Sequence, residues 1–190
     1  MSSYWDRLAK TYTGLGDAEF WLKHRLCLIE GISGRVLEVC CGGGRLVLEM
    51  LKKNIDAYGI DLSPSMVNAA KSKLSQAGFP PERILEADVT HLPYQNGEFD
   101  IIISTGAIGL FKAPMQAKAI QEIARVARHE IRLLEPFEKK NGLYGGRILA
   151  FMFDGMRPIP LSTFQELSLD LKVERDVLGG AFSYIRCVKR

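Results

Sequence analysis

The chain has 190 residues, of which 47% are hydrophobic and 25% are charged, and its formal net charge is +3. This composition is typical of a globular domain, and it excludes a long disordered region, a collagen-like repeat and a small disulfide scaffold. The small net charge gives no indication of a nucleic-acid partner or an acidic membrane. At this length one domain, residues 1–190, is expected to bury a complete core.

The cysteines and the hydropathy argue against a metal site and a membrane segment. None of the four cysteines forms a C-x-x-C pair, so no metal site is predicted. The N-terminus lacks the apolar stretch of a signal peptide, and the apolar run over residues 148–153 is far too short to span a membrane. We therefore expect a cytoplasmic protein without stable membrane insertion.

Short apolar runs rich in valine and isoleucine predict seven strands. The first five alternate with helical patterns, which is typical of a parallel sheet with helices on both faces. The last two are separated by a short turn that contains Gly179 and Gly180, so they are predicted to form a hairpin with one antiparallel strand. In chain order the predicted strands are Arg35–Cys40, Ala57–Asp61, Ile84–Asp88, Asp100–Ser104, Glu130–Glu135, Leu171–Val177 and Phe182–Val188.

Three helices are predicted between the first five strands. The first covers Arg45–Lys53. The second begins with Ser63 as N-cap and Pro64 at the first helical position, and it ends at Gly78. The third covers Met115–Arg128, where apolar residues recur with helical spacing.

A glycine-rich turn follows the first predicted strand and leads directly into a helix. Gly42, Gly43 and Gly44 allow a positive φ and let a ligand approach the backbone closely. The N-terminus of the following helix offers N–H groups to a polar ligand. Because ligands of open α/β sheets bind at the carboxyl ends of the strands, this turn marks the predicted binding site.

Two cofactor interpretations compete for this turn. The dinucleotide fingerprint G-x-G-x-x-G fits in neither register: counted from Gly42 its last position is Val47, and counted from Cys40 it begins with cysteine and ends at Arg45. The alternative pattern has an acidic residue followed by two spaced glycines, here Glu38, Gly42 and Gly44. At this point the sequence resembles the class I S-adenosylmethionine-dependent methyltransferases.

Further segments extend the resemblance over residues 35–135. The motif YGIDLSPSM ends the second predicted strand with Asp61, and LEADVTHLPY contains Asp88. The stretches 96–105 and 121–128 are similar to the fourth strand of the family and to the helix before the fifth. The Cys40-Cys41-Gly42 variant resembles the menaquinone and ubiquinone biosynthesis branch, although Cys40 replaces the usual first glycine.

The resemblance implies S-adenosyl-L-methionine as the cofactor and assigns roles to individual residues. Glu38 and the glycine loop would hold the amino-acid part of the cofactor, and Asp61 would accept hydrogen bonds from the ribose hydroxyls. Asp88 would lie near the adenine amino group, with Met66 and Val89 against the ring. The implied cofactor-binding residues are Glu38, Cys40, Gly42, Gly44, Asp61, Leu62, Met66, Asp88, Val89 and Ser104.

The resemblance also implies the fold and the division of the chain. The fold is expected to be α/β, a Rossmann-like doubly wound seven-stranded sheet that is mostly parallel, with an antiparallel C-terminal strand and helices on both faces. Residues 1–30 would form N-terminal lid helices and residues 31–135 the cofactor-binding core. Residues 136–165 would form a substrate-side segment and residues 166–190 the terminal hairpin.

The expected reaction is transfer of a methyl group to a small, fairly apolar acceptor by in-line displacement. The segment 105–111 lacks the N-P-P-Y type of tetrapeptide that nucleic-acid amino-methylating enzymes use, which disfavours a DNA or RNA substrate. The apolar segment 142–160, with Phe151 and Phe153, is a candidate roof over the acceptor pocket.

No general base stands out in the sequence, and His91, Tyr94 and Glu135 are the weak catalytic candidates. Two alternative functions stay open: a non-catalytic S-adenosylmethionine-binding module or subunit, and an NAD(P)-dependent oxidoreductase. The acceptor atom, the pathway and the oligomeric state are not assigned.

Overall fold

The computed structural model describes residues 19–137, 156–160, 162–167, 169–177 and 181–189. In this part of the chain the strands are β1 (Arg35–Val39), β2 (Asp56–Asp61), β3 (Ile84–Glu86), β4 (Phe99–Thr105), β5 (Ala127–Glu135), β6 (Leu169–Val177) and β7 (Phe182–Lys189). The α-helices are α1 (Glu19–Leu26), α2 (Arg45–Lys52), α3 (Pro64–Gln76), α4 (Ala113–Val126) and α5 (Ser162–Gln165).

The seven strands form one sheet in the order β3-β2-β1-β4-β5-β7-β6. Strands β1 to β5 pair in parallel, whereas β7 runs antiparallel to both β5 and β6. The predicted α/β fold class is confirmed, including the antiparallel C-terminal strand. Because β1 lies between β2 and β4, the direction of winding reverses beside β1, which is the position where ligands bind in such sheets.

Apolar side chains cover both faces of the sheet, because the residues of a strand alternate between the two faces. In β1, Val36 belongs to the core that α2 and α3 cover. The next residue, Leu37, belongs to the opposite core, which α4 covers. Helix α1 lies on the first of these faces, where Trp21 contacts Phe182 edge-on with ring centroids 5.3 Å apart. Helices therefore pack on both faces, as predicted.

The predicted element bounds agree with the structure to within two residues at each end, except at β5. This strand begins at Ala127 rather than at Glu130. Ala127 has φ −69° and ψ 135°, so the chain passes from α4 into β5 without a connecting turn. The side chain of Ala127 is fully buried, and the residue pairs with Phe99 in β4. This buried pairing extends the strand beyond the apolar run seen in the sequence.

The start of α3 is fixed by local side-chain chemistry. Ser63 is the N-cap, and its hydroxyl accepts a hydrogen bond from the Met66 N–H at 3.4 Å. Pro64 occupies the first turn, where its missing N–H costs nothing. The predicted cap is confirmed, and it sets the direction in which the chain leaves β2.

An ion-pair network joins β5 to β7 away from the carboxyl ends of the parallel strands. Glu130 accepts hydrogen bonds from Arg132 at 2.6 Å and from Arg186 at 2.7 and 2.8 Å. Arg132 also donates to the carbonyls of Leu28 and Glu30 at 2.9 and 2.8 Å. Burial acts to raise the pKa of Glu130, but the hydrogen bonds from the two arginines outweigh it and hold the pKa below its usual value.

Some sequence-based expectations lie outside the described residues. These include residues 1–18 of the predicted N-terminal lid, and the aromatic roof residues Phe151 and Phe153. Among the helices that the structure describes, none combines the length and the apolar character that crossing a membrane needs.

We predict that the substitution Glu130→Gln lowers the free energy of unfolding by roughly 1–3 kcal/mol at pH 7, because the hydrogen bonds to a charged carboxylate are lost. The pKa of Glu130 is lower in the folded chain than its usual value of 4.5. The stabilisation is therefore complete above that value and disappears as the pH falls through the folded pKa. Urea unfolding at a series of pH values measures the difference, and an unchanged difference down to pH ~3 would contradict the account.

Candidate functional site

The loop after β1 adopts a left-handed backbone at three positions. The φ angles are 53° at Cys40, 53° at Gly42 and 71° at Gly44. Only glycine adopts this conformation without steric cost, so Cys40 is a strained residue held by its surroundings. The loop therefore turns sharply at the carboxyl end of β1, and α2 begins directly after it.

Asp61, the last residue of β2, ties two loops together at this edge. Its Oδ2 accepts a hydrogen bond from the Gly42 N–H at 2.8 Å, and its Oδ1 accepts one from the Ser63 N–H at 3.0 Å. The neighbouring N–H of Cys41 donates to the carbonyl of Ile60 at 2.8 Å. The glycine loop is thus fixed to the end of β2, and Asp61 also lines the cavity above the loop.

A cavity of about 690 Å³, including its part open to solvent, lies over the carboxyl ends of the parallel strands. Ligands of open α/β sheets bind in a crevice at this edge, so the cavity is the candidate ligand site. The cavity is lined by Cys40, Gly42, Asp61, Leu62, Met66, Ala87, Asp88, Val89, Gly106, Ala107, Leu110, Phe111 and Met115.

One half of the cavity, beside the ends of β2 and β3, combines apolar side chains with two carboxylates. Leu62, Met66 and Val89 supply the apolar surface. Asp88 uses one oxygen, Oδ1, to accept hydrogen bonds from the N–H and the hydroxyl of Thr90, each at 2.8 Å. This half therefore presents acceptor oxygens next to a surface suited to a planar ring.

The other half of the cavity is apolar. It is formed by the loop after β4 and the start of α4, and we name it the acceptor wall: Gly106, Ala107, Leu110, Phe111 and Met115. None of these residues carries an ionisable side chain, so this half offers shape and exclusion of water rather than charge.

The electrostatic character of the cavity is acidic. Its described lining contains two carboxylates, Asp61 and Asp88, and no lysine, arginine or histidine. Burial raises the pKa of the Cys40 thiol well above its usual value, and the carboxylates of Asp61, Glu135, Asp88 and Glu38 raise it further. A field that opposes a thiolate at this position favours a positively charged ligand.

Glu38 lies beneath the loop and does not line the cavity. Its side chain is fully buried, and its Oε1 accepts a hydrogen bond from Arg25 of α1 at 2.7 Å. Burial raises the pKa of the Glu38 carboxyl above its usual value, and the charge of Arg25 acts in the opposite direction. Within the described chain Oε2 accepts no hydrogen bond of good geometry, but the nearby backbone N–H of Val47 in α2 also acts to lower the pKa of the Glu38 carboxyl.

Two of the other loop residues serve packing. At Gly44 an added Cβ would lie 2.8 Å from the Cβ of Ala70, so this glycine lets α2 approach α3 closely. Cys41 is buried, and its Sγ would lie 2.9 Å from a Cβ added at Gly59 of β2. Gly44 therefore contributes to the loop geometry without lining the cavity.

Ser104 and Glu135 are both fully buried behind the acceptor wall rather than in the cavity. The Ser104 hydroxyl donates to Glu135 Oε1 at 2.8 Å. Burial raises the pKa of Glu135, and the surrounding N–H groups and Ser104 act to lower it. Neither side chain is positioned to touch a ligand.

The structure places the two remaining catalytic candidates, His91 and Tyr94, outside the lining of the cavity. His91 is exposed and takes no part in the lining. Tyr94 packs edge-on against Phe99 at the start of β4, at the opposite end of the strand. Burial raises the pKa of Tyr94 to about 12. The chain after Asp88 runs back toward the start of β4, and this carries Tyr94 away from the carboxyl edge.

Seven of the ten residues implied by the sequence line the cavity, and two of the features that the sequence did not predict are informative. The seven are Cys40, Gly42, Asp61, Leu62, Met66, Asp88 and Val89. The first missed feature is Arg25. The sequence contains only an indirect indication of Arg25. A buried Glu38 requires a positively charged partner, but the sequence does not show which residue supplies it. The second is Met115, whose helical pattern gave no indication that it faces a ligand.

Comparisons with known proteins identify a family and relatives that the chain is similar to. The sequence profile of the family described as Methyltransferase domain matches residues 36–130, half of the chain. A 2-phytyl-1,4-naphtoquinone methyltransferase of Trichormus variabilis is 30% identical over 138 residues, which cover 65% of this chain and 58% of that protein. The chain thus spans less than two thirds of the length of this relative.

Two solved structures share the fold. An S-adenosylmethionine-dependent methyltransferase of Thermotoga maritima has a TM-score of 0.72 at 16% identity, with 100% of both chains covered. The second is magnesium protoporphyrin IX methyltransferase of Synechocystis PCC 6803, which was solved with bound S-adenosylhomocysteine. Its TM-score is 0.66 at 16% identity, and the match covers 96% of this chain and 83% of that one.

We predict that Gly44→Ala destabilises the fold more than Gly78→Ala. Both glycines have a positive φ, 71° and 79°, so each alanine costs roughly 1 kcal/mol of backbone strain. Only at position 44 does the added methyl also meet Ala70, which adds about 1–3 kcal/mol of overpacking, whereas nothing lies within 4 Å at Gly78. Equal losses in guanidinium unfolding would contradict the close approach of α2 and α3.

Proposed function

The chain belongs to the methyltransferase domain family, and we propose that it is an S-adenosylmethionine-dependent methyltransferase that acts on a small, fairly apolar acceptor. The observation that carries the proposal is the acidic lining of the cavity: Asp61 and Asp88 with no basic side chain among the described lining residues. S-adenosylmethionine carries a positive sulfonium, and a lining of this sign attracts it.

The residues present fit this cofactor in chemistry as well as in charge. The carboxylate of Asp61 can accept hydrogen bonds from the two neighbouring hydroxyls of a ribose. The carboxylate of Asp88 can accept hydrogen bonds from an amino group. Leu62, Met66 and Val89 offer an apolar surface for a planar base. The left-handed turn at Gly42 brings backbone close to the ligand without a side chain in the way.

A dinucleotide fits this cavity less well. NAD(P) carries a pyrophosphate with two negative charges, which the carboxylates of Asp61 and Asp88 would repel. No described lining residue offers a lysine or an arginine to compensate. The charge of the lining therefore supports the same choice as the missing third glycine of the fingerprint.

When bound, S-adenosylmethionine supplies an electrophilic methyl group on sulfur. The chain's own contribution is to bind and orient both reactants, because displacement requires the nucleophile within about 3–3.5 Å of the methyl carbon and in line with the departing sulfur. The acceptor wall supports this role, since its apolar residues exclude water from the reacting atoms. No described residue of the acceptor wall has an ionisable side chain that could act as a general base, so the proposed mechanism depends on orientation.

The apolar acceptor wall supports an aromatic or aliphatic acceptor over a highly charged one. Phe111 and Met115 present polarisable surface to it. The relative from Trichormus variabilis is named for a naphthoquinone, which is an apolar bicyclic ring. A reduced 1,4-naphthoquinone, whose electron-rich ring and hydroxyls are nucleophilic, is therefore the first acceptor to try.

We predict that S-adenosylhomocysteine binds the chain in isothermal titration calorimetry and that Asp61→Asn weakens binding by about 10- to 100-fold. The loss corresponds to about 1.5–3 kcal/mol for a hydrogen bond to a charged group. The matched control is Asp56→Asn at the other end of β2, where the exposed carboxylate pairs with Arg83, and it should change the affinity less than twofold. Binding of NADH in place of S-adenosylhomocysteine would refute the proposal.

We expect turnover of S-adenosylmethionine to S-adenosylhomocysteine when reduced 1,4-naphthoquinone is added, followed by chromatography with mass detection. Phe111→Ala should raise the apparent KM for this acceptor, because it removes apolar surface, while cofactor affinity stays the same. A chain that binds S-adenosylhomocysteine but turns over no acceptor from a broad panel of phenols, quinols, thiols and amines would instead be a non-catalytic binding module.

A further inference from the structure

Glu135 is a buried carboxylate whose hydrogen bonds come from the end of β4 and from the loop that follows it. Oε1 accepts from the Ser104 hydroxyl at 2.8 Å, from the Ala107 N–H at 2.9 Å and from the Ile108 N–H at 3.2 Å. Oε2 accepts from the Gly109 N–H at 3.2 Å. Three successive backbone amides therefore point at a single side chain.

These contacts lie directly behind the acceptor wall. Ala107 lines the cavity with its neighbours Gly106 and Leu110, whereas Ile108 and Gly109 are buried on the side of Glu135. The short helical turn over Ile108–Leu110 has no side-chain cap of its own. The carboxylate takes the place of such a cap, because it satisfies N–H groups that the turn leaves unpaired.

Tight packing fixes the same turn from a second direction. A Cβ added at Gly109 would lie 2.6 Å from Pro136, the residue after Glu135. The carbonyl of Gly109 accepts a hydrogen bond from the Arg157 N–H at 2.6 Å, and the Arg157 carbonyl accepts one from Gln116 at 3.1 Å. The turn is thus held between the end of β5, residues 156–160 and α4.

From this geometry we infer that Glu135 is a positioning residue that fixes the acceptor wall and thereby determines which acceptors the cavity takes. The inference rests on the proposed function for the identity of the wall, but the contacts are independent of the cofactor half. Every hydrogen bond of Glu135 goes to Ser104 or to residues 107–109, and none goes to the glycine loop or to Asp61. Glu135 is fully buried, so it acts through the loop and not by touching the acceptor.

The test is amide hydrogen exchange of the Glu135→Gln variant, read by NMR residue by residue. A glutamine keeps the size of the side chain but replaces one acceptor oxygen with an NH₂ group, which cannot accept from an N–H. We expect exchange at Ala107, Ile108 and Gly109 to accelerate by about tenfold or more, as for loss of a charge-assisted hydrogen bond. Exchange at Cys41 and Gly42, and the affinity for S-adenosylhomocysteine, should stay within about twofold of wild type.

The matched control is Glu130→Gln, which removes another buried carboxylate from the same strand. Its partners are Arg132 and Arg186, so it should lower global stability without a selective effect on residues 107–109. If Glu135→Gln fails to fold, Ser104→Ala replaces it, because this variant removes one donor and leaves the backbone contacts. It should accelerate exchange at Ala107 and Ile108 by a smaller factor.

Selective acceleration at residues 107–109, absent from the control, supports the inference. Unchanged exchange there, or equal acceleration in the control, would overturn it. With reduced 1,4-naphthoquinone as acceptor, Glu135→Gln should raise the KM for the acceptor by a larger factor than the KM for S-adenosylmethionine. If the wild-type chain does not bind S-adenosylhomocysteine, the proposed function is refuted but the inference on Glu135 is not, because the exchange measurement needs no ligand.

Discussion

The carboxylate of Asp61 is the interaction on which the geometry of the cavity depends. It accepts from the Gly42 N–H on one side and from the Ser63 N–H on the other, so a single side chain joins the loop after β1 to the loop after β2. The strained turn at Cys40 and the capped start of α3 are both connected to this residue. The parallel sheet brings these loops to one edge, and Asp61 fixes the spacing between them.

The same edge buries two further carboxylates, and the structure compensates each in a different way. Glu38 is paired with the cation of Arg25, which links α1 to the strand beneath the glycine loop. Glu135 is held by backbone N–H groups and Ser104 instead. A buried charge is costly without such partners. Asp61 therefore lines the cavity directly, whereas the two buried carboxylates stabilise the loops that form it.

The sheet and the glycine loop could be predicted because their signals are local: apolar runs, turn residues and a capping serine. Contacts between segments that are distant in sequence could not be predicted. Arg25 and Glu38, or Ser104 and Glu135, meet only after folding, and no spacing rule pairs them. Gly44 has the positive φ expected of the loop, yet the sequence does not show that a Cβ at this position would meet Ala70 in α3. Tyr94 follows the Asp88 motif closely in sequence, but the chain reverses and places it against Phe99.

The central claim, that the acidic cavity over β1 and β2 holds an adenosyl cofactor, is tested most directly by a crystal structure of the chain with S-adenosylhomocysteine. The account predicts that the ligand lies over the glycine loop, with the ribose hydroxyls within hydrogen-bonding distance of Asp61 and the base against Met66 and Val89. A ligand bound elsewhere, for example in the cleft that Lys23, Arg175 and Arg186 line, would contradict it.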